Sequence, residues 1–349
     1  MSLQGRHILS IDQFSRSELE HFRSVAEKLS PVAKRKVRCT ALAGAVLANL
    51  FFEASTRTRM SFHTAFARLG GEVVDTTGFT FSSISKGESL EDTARVIAGY
   101  ADAIVMRHPE QGSVAKFASN INIPVINAGD GIGEHPSQAL LDYLTISREF
   151  SRLGKKIDGM TIAMVGDLKH GRTIHSLSKL LSRFENITFS FIAPENLRAP
   201  AELLQELVSA GHTVREYSGI QEGLQNAAVI YATRIQRERI EGGETMEGYG
   251  ENFRINRRAL ENYAPKDAIV MHPLPRDSRP GAFDLSTDLD DLDNLAIFRQ
   301  TDNGMLMRMA IFACVLGVDE NIEQTFQPIN IYKPKKLSDK DASFYCFDC

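Results

Sequence analysis

The densest run of reactive side chains is Ser55-Thr56-Arg57-Thr58-Arg59, which directly follows an apolar run ending at Phe52. Hydroxyls and a guanidinium fork at the start of a helix suit an anion. Unpaired backbone N–H groups and the positive end of the helix dipole meet there, and Arg57 matches phosphate oxygens. The run is not a P-loop, because it lacks Gly-x-x-x-x-Gly-Lys. His135-Pro136-Ser137-Gln138 comes after the turn Gly129-Asp130-Gly131. Pro136 suits the first helical position, which puts His135 at the cap and Gln138 on the same face one turn on.

Gly166-Asp167-Leu168-Lys169-His170-Gly171-Arg172 is a second strand-to-helix junction, and its glycine spacing fails the dinucleotide fingerprint. Arg172, at the helix mouth, is placed to hold a carboxylate. Thr233-Arg234-Ile235-Gln236 ends another strand, and the period of two puts Arg234 and Gln236 on one side. His272-Pro273-Leu274-Pro275-Arg276 follows an apolar strand, and its prolines leave carbonyls outside any ladder to accept from an amide. Arg107-His108-Pro109 stands just past the apolar run 103–106. Each of these has an ordinary reading too: solvated arginines, a histidine capping its own helix, loop prolines. Cys346-x-x-Cys349 has no second ligand pair at zinc-finger spacing, while Cys39 and Cys314 lie in apolar runs and read as core.

The elements that must carry these residues alternate between short apolar runs and helical patterns, the signature of parallel sheets covered by helices. Ser17-x-x-Glu20 reads as a capping box opening a helix to about Leu29. Strands are expected at 45–52, 72–76, 103–106 and 124–127, with helices at 58–69, 90–100 and 136–150. A second series has strands at 160–165, 187–192, 213–217, 228–231 and 268–271, and a last apolar helix at 305–317. The boundary between the two halves falls near 144–156. Residues 76–89 and 237–252 read as long mobile loops, which in compact α/β domains are usually functional or disordered. The tail from Gln324 has no amphipathic period and is expected to hang off the fold or dock on a partner.

With 349 residues, two domains with real cores are expected. The 40 Lys and Arg against 44 Asp and Glu leave a net charge of −4, so the chain as a whole has no pull toward nucleic acid or anionic membrane. Any affinity for anions must come from a local gathering of cations. The longest uncharged stretch, 39–52, is too short to span a bilayer, and the first fifteen residues do not read as a signal peptide. The 4 cysteines make no disulfide framework, which fits a reducing cytosol.

Four motifs, taken in order, resemble the aspartate/ornithine carbamoyltransferase superfamily and, within it, the aspartate carbamoyltransferase catalytic chains. They are Phe51-Phe52-Glu53-Ala54-Ser55-Thr56-Arg57-Thr58-Arg59, His135-Pro136-x-Gln138, Gly166-Asp167-Leu168-Lys169-x-Gly171-Arg172 and His272-Pro273-Leu274-Pro275-Arg276. The resemblance runs from about residue 5 to 320. It implies an α/β fold of two domains, each a doubly wound parallel sheet flanked by helices. A carbamoyl-phosphate-binding domain would take 1–145 and a returning helix at 303–322, an aspartate-binding domain 146–302, and a C-terminal extension 323–349.

The implied reaction moves the carbamoyl group of carbamoyl phosphate to the α-amine of L-aspartate, giving N-carbamoyl-L-aspartate and phosphate in pyrimidine biosynthesis. By the same resemblance Ser55, Thr56, Arg57 and Thr58 hold the phosphate, and Ser82 and Lys86 reach in from a neighbouring subunit. Thr58, Arg107 and His135 donate to the carbonyl oxygen, while Gln138 and the backbone of Pro273 and Leu274 hold the carbamoyl amide. Aspartate falls to Arg172, Arg234 and Gln236, with Lys86, Arg107 and Leu274 beside it. Glu53, Arg172 and Arg239 pair on domain closure. No metal or other cofactor is expected, since arginines supply the electrophilic charge.

The implied assembly is a cytoplasmic homotrimer with shared active sites, and some family members also bind regulatory chains. His170 stands where related chains often carry Tyr, and the tail beyond Ile322 outruns the usual last helix; both bear on regulation rather than chemistry. An ornithine carbamoyltransferase and a catalytically silent scaffold of the same fold are the alternatives. The former typically has His-Cys-Leu-Pro where this chain has His272-Pro273-Leu274-Pro275.

Overall fold

The computed structural model describes residues 3–78, 86–234, 251–277 and 284–330. The chain forms two compact units: Met1–Leu141 with Thr301–Cys349, and Asp142–Gln300. It leaves the first unit within helix α5 and returns within helix α10.

The first unit opens with α1 (Arg16–Ala33), capped by Ser15, whose side chain accepts from the Glu18 N–H while Glu18 reaches back to the Ser15 N–H at 2.8 Å. The capping box is therefore Ser15-x-x-Glu18, and the expected Ser17-x-x-Glu20 is corrected by two residues. The sequence satisfies both spacings, and the pair that forms is the one whose Glu18 is also held by Arg6. A short strand β1 (Val37–Cys39) precedes β2 (Val46–Phe51), α2 (Thr56–Arg68), β3 (Glu72–Thr77), α3 (Leu90–Ala98), β4 (Ala103–His108), α4 (Ser113–Ala118), β5 (Val125–Asp130) and α5 (Pro136–Leu153). The parallel sheet has the order β3-β2-β4-β5.

Strands β4 and β5 are buried along their whole length, and hence read as nearly continuous apolar runs. β3 lies on the sheet edge, which accounts for its Glu, Asp and Thr content. The β5 edge is covered instead by the N-terminal segment, where Ile8 N–H donates to Val125 and Asn127 N–H donates to Ile8.

The second unit contains β6 (Thr161–Val165), α6 (Arg172–Leu181), β7 (Thr188–Ile192), α7 (Ala201–Ser209), β8 (Thr213–Tyr217), α8 (Ile220–Gly223), β9 (Val229–Ala232), α9 (Arg257–Tyr263) and β10 (Ile269–Met271). Its parallel sheet has the order β10-β9-β6-β7-β8. The β10 edge is covered by residues 294–296, which exchange backbone bonds with Val270.

Helix α10 (Ile297–Val315) starts well before the expected Met305, and residues 306–315 of it are fully buried in the first unit. Phe312 meets Phe62 and Phe66 of α2 edge-on, with ring centroids 5.9 and 4.9 Å apart. Arg308 lies 4.8 Å over the Phe62 ring and donates to Ser61 Oγ at 2.9 Å. Such aromatic pairs add about 0.5–1.5 kcal/mol beyond burial. They fix the helix whose N-terminus carries Ser55 to Arg59.

The expected loose tail is corrected over its first residues: β11 (Phe326–Pro328) pairs antiparallel with β1. Arg38 Nε donates to Gln327 Oε1 at 2.9 Å, and Cys39 Sγ meets Thr325 Oγ1 at 3.2 Å. Three residues are too few to show a period of two. Arg107 and His108, expected just past a strand, lie within β4, and Gly129 and Asp130 lie within β5 rather than in a turn. α4 had no counterpart in the sequence reading. The expected loop 237–252 falls almost wholly outside the described residues, as do Ser82, Gln236, Arg239, Cys346 and Cys349.

Candidate active site

Each sheet reverses its winding once, between β2 and β4 in the first unit and between β6 and β9 in the second. In open α/β sheets the carboxyl ends of the strands flanking that reversal form the ligand crevice. Ser55 to Thr58 and Arg107 lie at these ends in the first unit and Arg172 and Arg234 in the second, while Lys86, His135, Gln138, Pro273 and Leu274 follow the neighbouring strands β3, β5 and β10.

In the first unit β2 runs out at Phe51 and α2 starts at Thr56, with Ser55 as an extended N-cap whose side chain makes no capping bond. The first helical backbone bond is Arg59 N–H to Ser55 O, so the N–H groups of Thr56, Arg57 and Thr58 point past the helix end. Thr56 and Arg57 are exposed there and Thr58 is buried. One strand away, at the end of β4, Arg107 is buried; its Nε is 2.9 Å from Glu53 Oε2 and its Nη1 donates to Ala128 O at 3.3 Å. The Glu53–Arg107 pair was not foreseen, because the two lie far apart in the chain and meet only when β2 and β4 pair. It binds the two strands that flank the reversal.

At the end of β5, Asp130 is buried and takes the N–H groups of Gly112 at 3.0 Å and Glu134 at 2.9 Å. Gly131 has φ +54°, and a Cβ there would lie 2.4 Å from the Pro109 carbonyl, so only glycine lets the two turns approach. This bend delivers His135 to the start of α5. His135 is buried, its Nδ1 lies 3.4 Å from Ser137 Oγ, and its carbonyl accepts from the Gln138 and Ala139 N–H groups. Gln138 is buried on the same turn. Lys86 is exposed between β3 and α3, just ahead of the Ser89 cap.

In the second unit the strand ends come closest at Gly166, whose φ is +126°; a Cβ there would lie 2.2 Å from the Thr233 carbonyl. Asp167 is fully buried and accepts from the His170 N–H at 3.0 Å and approaches its ring Nδ1 at 3.1 Å. Gly171 caps α6, and Arg172, its first residue, is only 6% exposed. A guanidinium held in that position suits a carboxylate better than bulk water does. β9 ends at Ala232, so the expected strand 228–231 is one residue out at each end; Thr233 follows buried and Arg234 half-buried.

The turn after β10 is tied down by a buried polar network. His272 N–H donates to Gln300 Oε1 at 3.0 Å, Gln300 Nε2 donates to Asp142 Oδ1 at 2.7 Å, and Tyr231 OH donates to Asp142 Oδ2 at 2.8 Å. Leu274 N–H donates to His272 Nδ1 at 2.8 Å, so the ring proton sits on Nε2, 3.4 Å from Asp284 Oδ2. Burial holds the His272 pKa below the usual imidazole value against the pull of Asp284, and the charges of Arg276 and Arg234 push the same way as burial. The imidazole is therefore a neutral peg. Leu274 has φ +56°. Arg276 forks onto Asp290 at 2.6 and 3.3 Å, which fixes the far side of the turn. The sequence marked the His272 to Arg276 turn but not its supports Tyr231, Asp142 and Gln300, which no local motif singles out.

Two doubly wound sheets, each with arginines and amide donors at its winding reversal, define an α/β protein with the chemistry to hold a small anion in each unit. The chain belongs to the aspartate/ornithine carbamoyltransferase family. Residues 6–148 match the model of its carbamoyl-P binding domain and residues 158–315 that of its Asp/Orn binding domain. It is 71% identical over 345 residues, covering 99% of both chains, to the aspartate carbamoyltransferase catalytic subunit of Dichelobacter nodosus. The corresponding subunit of Saccharophagus degradans is 49% identical over 95% of this chain and 98% of its own. Aspartate transcarbamoylase from Trypanosoma cruzi, solved in complex with carbamoyl aspartate and phosphate, superposes with a TM-score of 0.80 at 40% identity, covering 90% of this chain and 96% of that one. Among the described residues, no helix is long and apolar enough to cross a membrane.

Proposed function

We propose that the chain transfers the carbamoyl group of carbamoyl phosphate to the α-amine of L-aspartate. The C–N bond to the amine forms, the C–O bond to phosphate breaks, and the proton shed by the amine leaves with phosphate. The observation that carries this reading is the pairing of a hydroxyl-rich helix start beside a buried Arg107 in one unit with a buried Arg172 at a helix start in the other. The first suits a phosphate and a carbonyl oxygen, the second a carboxylate.

Ser55, Thr56, Arg57 and Thr58 bind phosphate; Arg107, Thr58 and His135 donate to the carbonyl oxygen as it gains charge. Gln138 and the Pro273 and Leu274 carbonyls hold the carbamoyl amide. Arg172 takes the α-carboxylate of aspartate, and Arg234 and Gln236 the β-carboxylate. Holding amine and carbonyl in attack geometry contributes on the order of 7–11 kcal/mol, and each oxyanion donor roughly 3–4 kcal/mol. Glu53, Arg172 and Arg239 act together on closure, which excludes water from the reacting groups.

The carbamoyl-phosphate half comprises 1–145 and 303–322, the aspartate half 146–302. Ser82 and Lys86 serve a neighbouring protomer's site, so the working form is a cytoplasmic homotrimer in pyrimidine synthesis, either alone or with regulatory chains. The deciding assay supplies carbamoyl phosphate with aspartate or with ornithine. Carbamoyl-aspartate formation bears the proposal out; product from ornithine alone, or from neither, overturns it. Elution volume on sizing tests the trimer.

A further inference from the structure

A second cluster of ligating side chains lies in the first unit, on the face where α1 meets the end of α10. Gly317, with φ +69°, ends α10 in a reversed turn: its N–H donates to Cys314 O at 3.2 Å and the Val318 N–H donates to Ala313 O at 2.9 Å. That reversal brings Asp319 back beside Cys314. His21, four residues beyond Ser17 on α1, places its ring Nε2 2.7 Å from Asp319 Oδ2. The ligating atoms of His21, Cys314 and Asp319 all lie within 4.8 Å of one another. Cys314 is buried, Asp319 half-buried and His21 exposed, so the cluster is lined on one side by protein and open to solvent on the other.

We propose that these three side chains form a binding site for a thiophilic divalent cation such as zinc. One thiolate, one imidazole and one carboxylate make a donor set that selects zinc, cobalt or cadmium over magnesium or calcium, which favour oxygen alone. A thiolate and a carboxylate also cancel the charge of a divalent ion, leaving a neutral centre at a half-buried site. The exposed His21 ring can turn to admit the ion, and water completes a tetrahedron on the open side. In the cation-free protein burial and Asp319 keep the Cys314 thiol far above its ordinary pKa. Binding therefore releases the thiol proton from Sγ to solvent, and the imidazole ligates through a ring nitrogen that carries no proton. The ion would tie α1 to the segment that leads from α10 to β11.

The test uses the full chain with Cys346→Ser and Cys349→Ser, so that the tail thiols do not compete, and cobalt(II) as the probe. A thiolate-to-cobalt charge-transfer band together with the visible bands of a tetrahedral ion is the expected result. Adding His21→Ala, at an exposed position, abolishes both bands, and so does adding Cys314→Ser. Thermal unfolding read in parallel shows a zinc-dependent rise in Tm that His21→Ala removes. No charge-transfer band, or one that survives His21→Ala, overturns the proposal. Carbamoyl-transfer activity does not enter either readout.

Discussion

Arg107 is held from two sides within its own unit, by Glu53 at Nε and by the Ala128 carbonyl at Nη1, which leaves its direction little freedom. Truncating Glu53 to alanine is expected to lower kcat with little change in the fold; unaltered kinetics would show that neither this pair nor closure matters. Arg57→Ala is expected to lower kcat by about a hundredfold or more, the scale of one lost oxyanion contact. Arg234→Ala separates the substrates: the KM for aspartate rises while carbamoyl phosphate still binds, and equal losses on both would refute the assignment. At this scale the sequence was informative where chemistry is local. Thr56 to Thr58 and Arg172 stand at helix starts, where the residue types alone suggest an anion. The Glu53–Arg107 pair and the Tyr231–Asp142–Gln300 support of His272 were illegible, because each joins residues far apart in the chain that meet only once strands and helices pack.

The elements position these groups through close approaches that tolerate little change. At Gly166 a side chain would meet both an unfavourable φ and the Thr233 carbonyl. Gly166→Ala is expected to destabilise the chain by about 1–3 kcal/mol or more, and to raise the KM for aspartate by pushing apart the ends of β6 and β9. A denaturant titration with parallel steady-state kinetics reads both effects, and a stable, fully active variant would contradict the geometry. Phe312→Ala removes the ring that braces α2 and is expected to lower stability by about 3–5 kcal/mol. The strands were readable because both faces of a parallel strand are buried, which writes a continuous apolar run. Their carboxyl ends were not, since Arg107, His108 and Asp130 are polar residues carried inside the ladder. β11 escaped notice because its pairing with β1 rests on backbone bonds over three residues.

For the whole molecule, acid is the direction of weakness. His272 is buried and His175 partly so, and desolvation holds both below the usual imidazole pKa. Their unfolded forms take up protons first, so stability declines as pH falls through the ordinary histidine range. Glu149 and Asp284 are held below the carboxylate range, Glu149 by Arg299 and Arg152 and Asp284 by His272 and the Asp277 and Leu285 N–H groups, each overcoming the opposing effect of burial. Their contribution is present above the unfolded carboxylate pKa and is lost as pH falls through the folded one. Urea midpoints measured from pH 8 to pH 2 should therefore fall in two stages, the histidine stage first and the carboxylate stage in stronger acid, and a flat profile would count against both. The two α/β halves were legible from the alternation of runs.

The first unit is split by the second, and its central helix α10 comes late in the chain. A ribosome making this protein finishes every residue of the inserted unit before it has supplied Phe312 to Phe62 and Phe66, or β11 to β1. The phosphate-side half thus waits, half-built and with its apolar interior open, while its neighbour is already complete. Nascent chains arrested near residue 300 are the ones that should need a chaperone most.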